Sequence, residues 1–322
     1  MNTTSSSFPV SSFPGPEALE DSDRQEMPRT PRRALVIGGG GAAGNAWALG
    51  LIAGLAEAGL DVTESDLIVG TSSGSTVAAQ ITSGAGLAQL YEATQAPIPP
   101  QHRAGTRHGH GPGPKVSGAG YLDWSQQLID SSKDPGEMRR RLGAAALERD
   151  GSGGADAEQW RTVVASRLPG AHWPPQRVLI PAVDAFTGEP VVFDRDSGVD
   201  IVDAVAASTS AMVPYRIGER RYLNGGYRRS ENADLAAGYE RVLVLVPFGG
   251  RSRMPEAWGM DLATQLLELR EAGSRAEAVF PDAGAGEVFD ANALDPSTRR
   301  QAGRGGYEQG MAIAADLGDL WR

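Results

Sequence analysis

The sequence of 322 residues contains no cysteine. This absence excludes a disulfide framework, a cysteine-ligated metal and a thiol nucleophile, and it favours a reducing, cytoplasmic location. Positive charge is also scarce, because 40 acidic residues outweigh 30 lysines and arginines and give a net charge of -10. That balance argues against nucleic acid as a partner. No apolar run approaches the roughly 20 residues of a membrane-spanning helix, so we expect any contact with a membrane to be peripheral.

The first 30 residues are rich in serine, proline and charge. They lack the basic start and the apolar segment of a secretory signal. Their composition predicts a disordered tail over residues 1–30, followed by one folded domain over residues 31–322. Nothing in the sequence predicts the oligomeric state.

Short apolar runs alternate with segments of helical spacing along the rest of the chain. The apolar runs predict strands at 33–37, 66–70, 177–185, 190–193, 241–247 and 276–282. The helical spacing predicts helices at 45–59, 73–92, 200–208, 261–273 and 297–319. This alternation is typical of a three-layer α/β/α sandwich with a mostly parallel central sheet.

The alternation breaks at residues 96–121, which are rich in glycine, proline and histidine. Helical spacing returns in three segments, at 122–131, 134–149 and 155–167. We interpret residues 95–170 as an insertion that packs over the sheet as a helical cap. No histidine, aspartate and glutamate cluster has the spacing of metal ligands, so neither a metal nor a cofactor is expected.

A glycine-rich stretch follows the first predicted strand and leads into a helix. Gly39, Gly41 and Gly44 satisfy G-x-G-x-x-G, the pattern of dinucleotide-binding folds. That interpretation also requires an acidic residue at the end of the second strand, where this chain has Gly70. A phosphate-binding P-loop would need a closing Gly-Lys-Ser/Thr, which is absent. Dinucleotide binding therefore stays the weaker alternative, to be tested by a nucleotide-induced thermal shift.

The second predicted strand ends in a G-x-S-x-G sequence formed by Gly70, Ser72 and Gly74. Between a strand and a helix, this pattern predicts a sharp turn that projects the Ser72 hydroxyl above the sheet as a nucleophile. Acyl transfer to a serine also needs backbone N–H groups near the developing oxyanion, and a loop of glycines can supply them. The glycine loop is thus expected to hold a carbonyl oxygen rather than a phosphate.

A nucleophilic serine needs a base, and histidine does not provide one at the expected place. The four histidines all fall in predicted loops, and none follows a late strand as in an α/β-hydrolase: His102, His108, His110 and His172. A Ser-His-Asp triad is therefore not expected. The alternative is a dyad of serine and a carboxylate.

Three blocks of the sequence resemble the patatin-like phospholipase family, over about residues 33–250. They are LVIGGGGAAGNAWALGLIAGLAEAGL, LIVGTSSGSTVAAQITSG and VDIVDAVAASTSAMVPYRIGERRYLNGGYRRSENADLA. The resemblance implies a patatin-type sandwich that hydrolyses acyl esters of lipids with a Ser–Asp dyad. It further implies that Ser72 is the nucleophile and that Gly39, Gly40 and Gly41 form the oxyanion hole.

The sequence departs from the family pattern at two positions. Ala43 stands where the family often has arginine or lysine, which is expected to loosen the loop without removing its backbone donors. Asn224 stands before Gly225 and Gly226, where the family has Asp-Gly-Gly. A neutral amide has no useful basicity at pH 7, and general-base assistance accelerates a reaction about 10²–10⁴-fold. We therefore expect a disabled or weakly active acyl hydrolase.

Four explanations of Asn224 stay open at this point. The chain is an inactivated variant of an active hydrolase, or a natural member with another role, such as an acyltransferase or a non-hydrolytic lipid-binding protein. Alternatively, a different acid serves as the base, with Asp184, Asp194 and Asp234 as candidates near strand ends. Finally, an asparagine before glycine is prone to deamidation, which would convert part of Asn224 to aspartate.

Overall fold

The computed structural model describes residues 31–97, 118–151, 155–286, 288–290 and 292–322. The predicted tail and residues 98–117 of the predicted insertion lie outside the described residues. One sheet of eight strands runs through the described part of the chain. Its strands are β1 (Arg33–Ile37), β2 (Leu67–Gly70), β3 (Arg177–Asp184), β4 (Pro190–Phe193), β5 (Tyr215–Ile217), β6 (Arg220–Asn224), β7 (Arg241–Leu245) and β8 (Arg275–Val279).

Helices connect most of these strands. In chain order they are α1 (Gly41–Glu57), α2 (Ser73–Ile81), α3 (Leu87–Gln95), α4 (Gly118–Asp130), α5 (Pro135–Leu147), α6 (Ala155–Ala165), α7 (Ile201–Ser208), α8 (Leu262–Glu271) and α9 (Arg299–Trp321). Short 3-10 helices lie at Gly225–Tyr227, Ala233–Ala236, Glu256–Trp258, Ala283–Ala285 and Pro296–Thr298. None of the described helices is long and apolar enough to cross a membrane.

The strand order is β5-β6-β3-β2-β1-β7-β8, with β4 also paired to β3. The pairings of β3 with β2, β2 with β1, β1 with β7 and β7 with β8 are parallel. The β4, β5 and β6 pairings are antiparallel. The predicted α/β sandwich with a mostly parallel sheet is therefore confirmed. The carboxyl ends of β1 and β2 lie side by side, because Ile37 pairs with Gly70.

Each face of the sheet is covered by a separate hydrophobic core. Leu35 and Ile37 of β1 face the larger core, which also contains α1, α2 and α7. Ala34 and Val36 face the opposite core, where α8 packs. This alternation follows from the two-residue period of a strand, and strands buried on both faces read as continuous apolar runs. Burial on both faces explains why residues 33–37 appear in the sequence as a short apolar run.

Glycines allow α1 and α9 to pack with their backbones in contact. A Cβ atom at Gly50 would lie 2.1 Å from the carbonyl oxygen of Gly303, and one at Gly54 would lie 2.2 Å from that of Tyr307. From the other side, a Cβ at Gly306 would meet the Trp47 carbonyl oxygen at 2.3 Å. No larger residue fits at these positions. Trp47 itself is fully buried in the core.

The structure departs from the predicted elements in three places. The helix predicted over 73–92 is two helices, α2 and α3, because the chain turns at Gly84 with a φ of +84°. Helix α1 begins at Gly41 rather than at 45. The β5–β6 hairpin was not predicted, because its strands are short, rich in arginine and joined at Gly218, where φ is +58°.

Candidate active site

The G-x-S-x-G segment forms a tight turn from β2 into α2. Ser72 has a φ of +53° and a ψ of -125°, one of two non-glycine residues with positive φ in the described chain. Such a conformation costs about 1–3 kcal/mol and persists only where the surroundings enforce it. Gly74 allows the turn to press against β1, since a Cβ there would lie 2.1 Å from the Ile37 carbonyl oxygen. A Cβ at Gly70 would likewise lie 2.6 Å from the Gly74 carbonyl oxygen.

Hydrogen bonds hold the strained turn in place. The Ser72 N–H donates to Ser208 Oγ at 3.0 Å, which joins the turn to the end of α7. The Ser72 carbonyl accepts from both the amide and the hydroxyl of Ser75, at 2.9 and 2.6 Å. The backbone of Ser72 is thus fixed, and its side chain is half-buried above the sheet.

Asn224 lies at the end of β6, next to Ser72. Its Nδ2 donates a hydrogen bond to Ser72 Oγ at 3.1 Å. Its Oδ1 accepts from the Gly226 N–H at 2.9 Å. The Gly226 amide is only a donor, so it can meet only the oxygen of the side chain, and the nitrogen must then face Ser72.

The direction of this hydrogen bond decides what the pair can do. A base must accept the hydroxyl proton, whereas the Asn224 amide donates to the oxygen of Ser72. The hydrogen bond therefore occupies a lone pair of the Ser72 oxygen, and a nucleophilic attack by that oxygen needs a lone pair. Ser72 and Asn224, which the sequence predicts as a catalytic pair, are adjacent. Their hydrogen bond, however, runs from residue 224 to Ser72, opposite to the direction that a base requires.

The glycine loop lies directly against Ser72. A Cβ atom at Gly39 would be 3.0 Å from Ser72 Cβ, so only a glycine leaves this approach open. Gly41 opens α1 with a φ of +61°. The Gly40 N–H donates to Ser73 Oγ at 2.9 Å. Of the three predicted oxyanion donors, Gly40 is thus engaged by a protein hydroxyl.

The remaining motif glycines are sites of close packing. A Cβ at Gly225 would lie 2.2 Å from the Pro181 carbonyl oxygen, so the chain after Asn224 presses against β3. A Cβ at Gly44 would lie 3.0 Å from Pro247 Cβ. Gly226 supplies the N–H that orients the Asn224 side chain.

The three alternative acids are engaged away from Ser72. Asp184 Oδ1 accepts the amides of the turn after β3, and its Oδ2 accepts from Arg220 at 3.2 Å. Asp194 accepts an amide of its own turn. Asp234 forms a two-pronged ion pair with Arg228, at 3.0 and 2.7 Å. Among the described residues, no hydrogen bond joins any of these three side chains to Ser72, and each carboxylate accepts hydrogen bonds elsewhere.

Sequence reasoning missed a buried acid beneath the glycine loop. Glu231 is 6% exposed, and its Oε2 has no hydrogen-bond partner among the described residues. Burial raises the pKa of Glu231 to about 7. Its Cγ lies 3.1 Å from where a Gly38 Cβ would be, whereas Gly39 faces Ser72. Glu231 therefore packs against Gly38 of the loop, whereas Ser72 packs against Gly39.

A cavity of about 240 Å³ opens beside Ser72. Its floor is formed by the start of α1 and α2, with the polar side chains of Ser72, Ser73 and Thr76. Most of its wall is apolar, contributed by Ala157, Trp160, Met212, Val213, Pro214 and Leu294. Segments of α4 and α6, from the predicted insertion, also line it. Trp47 does not line it, in agreement with a role in the core.

Two tyrosines, the half-buried Tyr121 and the buried Tyr227, connect the cavity wall to the segment after Asn224. The hydroxyl groups of Tyr121 and Tyr227 lie 2.7 Å apart. Burial raises the pKa of both phenols, so both are protonated at neutral pH. This pair links α4 to the 3-10 turn that carries Gly225 and Gly226.

Within the described ranges, no group of three or more histidine, aspartate or glutamate side chains could hold an ion. His172 lies in a bend between α6 and β3. His102, His108 and His110 lie outside the described residues.

A glycine-rich loop after the first strand and a G-x-S-x-G turn after the second lie at the carboxyl ends of adjacent parallel strands, and this arrangement defines an α/β protein with a strand–turn–helix elbow. The chain belongs to the patatin-like phospholipase family, whose sequence profile matches residues 35–237. No curated protein matches the sequence.

The solved structures that are similar to the chain include the following two. VipD from Legionella pneumophila has 15% identity and a TM-score of 0.46, over 89% of this chain and 67% of that chain. The type III effector protein ExoU has 18% identity and a TM-score of 0.41, over 89% of this chain and 53% of that chain. The chain therefore spans about half the length of ExoU.

Proposed function

We propose that this chain binds an acyl ester of a lipid in the cavity beside Ser72 and hydrolyses it slowly. Ser72 is the nucleophile in this proposal, and the Gly39 and Gly41 amides receive the oxyanion. Gly40 joins them only when its N–H exchanges the Ser73 hydroxyl for the substrate oxygen. Residues 31–322 act as one patatin-like domain, and the insertion at 95–170 serves as the cap over the acyl group.

The observation that carries the proposal is the hydrogen bond from Asn224 Nδ2 to Ser72 Oγ at 3.1 Å. It supports a nucleophile that is correctly placed but whose hydroxyl has no proton acceptor among the described residues. The strained φ of Ser72 supports the same assignment, because backbone strain concentrates at functional sites. Without a base, the proton of Ser72 must leave to water, which keeps turnover near the level given by positioning and oxyanion donors alone.

A second candidate is an acyl-lipid-binding protein without turnover. The same hydrogen bond favours it, because donation by Asn224 opposes attack by the Ser72 oxygen. The apolar wall and polar floor of the cavity suit either role. The two candidates differ only in whether the Ser72 oxygen forms a covalent bond to the acyl group.

Reaction with a fluorophosphonate probe separates the two candidates. The unaltered chain is incubated with the probe, and peptide mass spectrometry locates the label, with Ser72→Ala as the blank. The hydrolase proposal predicts slow labelling of Ser72 together with p-nitrophenyl octanoate hydrolysis above the Ser72→Ala rate. An unlabelled Ser72 with no ester hydrolysis contradicts it and favours the binding protein. The mass of the peptide that contains residue 224 shows whether Asn224 is intact, and an intact Asn224 excludes deamidation as the source of activity.

A further inference from the structure

Two arginines line the cavity that opens at Ser72. They are Arg167, which follows α6, and Arg299, the first residue of α9. Neither forms an ion pair with a carboxylate in the described part of the chain, whereas Arg161 and Arg228, for example, do. Asp156 lines the same cavity.

The guanidinium of Arg167 is held by aromatic and backbone contacts. It lies over the Trp160 ring, 5.2 Å from its centroid. The indole N–H of Trp160 donates to the Ala206 carbonyl at 3.2 Å and to Thr209 Oγ1 at 3.3 Å, which fixes the ring to the end of α7. Gln80 Nε2 donates to the Arg167 carbonyl at 2.9 Å and so fixes the backbone.

The two positive charges act on one another. Arg167 has a lowered pKa of about 10, first because surrounding protein desolvates its guanidinium and then because Arg299 repels it. Its surface is nevertheless open to solvent, as expected for a side chain at the mouth of a cavity. Burial also lowers the pKa of Arg299. Both stay protonated at neutral pH, so the site holds two cations whose repulsion an anion would relieve.

We propose that Arg167 and Arg299 form a subsite for an anionic group, a phosphate or a carboxylate, on the acyl substrate that reacts at Ser72. The inference rests on the proposed function for the placement of the acyl group. The guanidinium groups supply planar donors that match phosphate and carboxylate oxygens. The first residues of α2 and α9, Ser73 and Arg299, both line the cavity, and a helix N-terminus favours negative charge nearby.

Binding of matched amphiphiles tests the subsite without turnover. Octyl phosphate, octanoate and the uncharged octyl glucoside are titrated into the full chain by isothermal calorimetry. The variants are Arg167→Gln and Arg299→Gln. Arg300→Gln serves as the matched control, because its side chain binds the Gln95 carbonyl outside the cavity. Circular dichroism confirms that each variant is folded.

Each cavity variant is expected to weaken octyl phosphate binding about tenfold or more, since a charge-assisted hydrogen bond is lost. Octyl glucoside binding should change less than twofold, and Arg300→Gln should change neither ligand. Equal losses for charged and uncharged ligands, or an unchanged affinity for octyl phosphate, would overturn the subsite.

Inorganic phosphate separates the two sources of the anion. Weaker binding of phosphate than of octyl phosphate supports a group carried on an acyl substrate, whereas equal binding overturns that placement. The titrations do not depend on hydrolysis. If Ser72 forms no acyl bond but the charge preference holds, the hydrolase proposal fails and the subsite stands.

Discussion

Replacement of Asn224 by aspartate reverses the polarity of the hydrogen bond at the nucleophile. In the unaltered chain the side-chain oxygen is engaged by the Gly226 N–H at 2.9 Å, and the nitrogen donates to Ser72 Oγ at 3.1 Å. Aspartate has nearly the same shape. One of its oxygens would retain the Gly226 contact, and the other would stand where Nδ2 is now, ready to accept the Ser72 proton.

The expected gain follows from this geometry. General-base assistance is worth about 10²–10⁴ in rate, which corresponds to about 3–5 kcal/mol in activation free energy. Little of it should be lost to misplacement, because the donor–acceptor distance of 3.1 Å already lies within hydrogen-bonding range. We therefore expect Asn224→Asp to raise the rate of ester hydrolysis by at least 10², through kcat rather than KM.

The assay compares p-nitrophenyl octanoate hydrolysis by the unaltered chain, Asn224→Asp and Asn224→Ala, each with and without Ser72→Ala. Alanine removes the amide donor without adding a base, so it measures how much the donated hydrogen bond alone inhibits. The activity of Asn224→Asp should fall at low pH as its carboxylate becomes protonated.

Two results would refute this reasoning. An equal gain in Asn224→Ala would show that the loss of the amide, not the new carboxylate, activates Ser72. A high rate in the unaltered chain, with an intact amide at residue 224 by mass, would show that the base lies elsewhere.

Three further predictions concern the frame of the site. Gly74→Ala should destabilise the fold by about 3 kcal/mol or more in urea unfolding, because its Cβ would lie 2.1 Å from a backbone oxygen of β1. Gly86→Ala, at the N-cap of α3 with open space around it, should cost only about 1 kcal/mol or less, because alanine is a poorer N-cap than glycine. Ser208→Ala should cost about 1 kcal/mol and slow the labelling of Ser72, since it removes the acceptor of the Ser72 N–H. Because the pKa of Glu231 is raised to about 7 in the folded state, that state binds a proton that the unfolded state has lost above pH 4.5. The free energy of unfolding should therefore fall by about 3 kcal/mol as pH rises from 4.5 to about 7. Glu231→Gln should flatten this slope, and an unchanged slope would contradict the assignment.

Local pattern was enough to predict the centre of the fold. Strands β1, β2 and β7 are buried on both faces, so each appears as an uninterrupted apolar run. The glycines at their ends mark turns where the backbone packs too closely for a side chain, as Gly74 does against β1. The adjacency of Ser72 and Asn224 came from the family resemblance rather than from any local signal.

The parts that could not be predicted depend on contacts between distant residues. The orientation of the Asn224 amide is set by Gly226, and the acceptor of the Ser72 N–H comes from α7. Glu231 and the two cavity arginines lie in ordinary charged stretches of sequence, and only the fold shows that none of them has an ion-pair partner among the described residues. The split between α2 and α3 was missed because both halves keep helical spacing on either side of the turn at Gly84.

The order of strands has a consequence for how the chain folds during synthesis. Ser72 lies in the first quarter of the chain, yet β1 completes its pairing only when Arg33 meets Arg241 and the rest of β7. Gly50 and Gly54 of α1 gain their packing partner later still, when α9 at residues 299–321 has been synthesised. Such long-range closure slows folding and leaves apolar surface uncovered on the growing chain. Ser72 is therefore synthesised early, but the structure around it is completed late. We expect the site to stay incomplete until α9 has emerged from the ribosome.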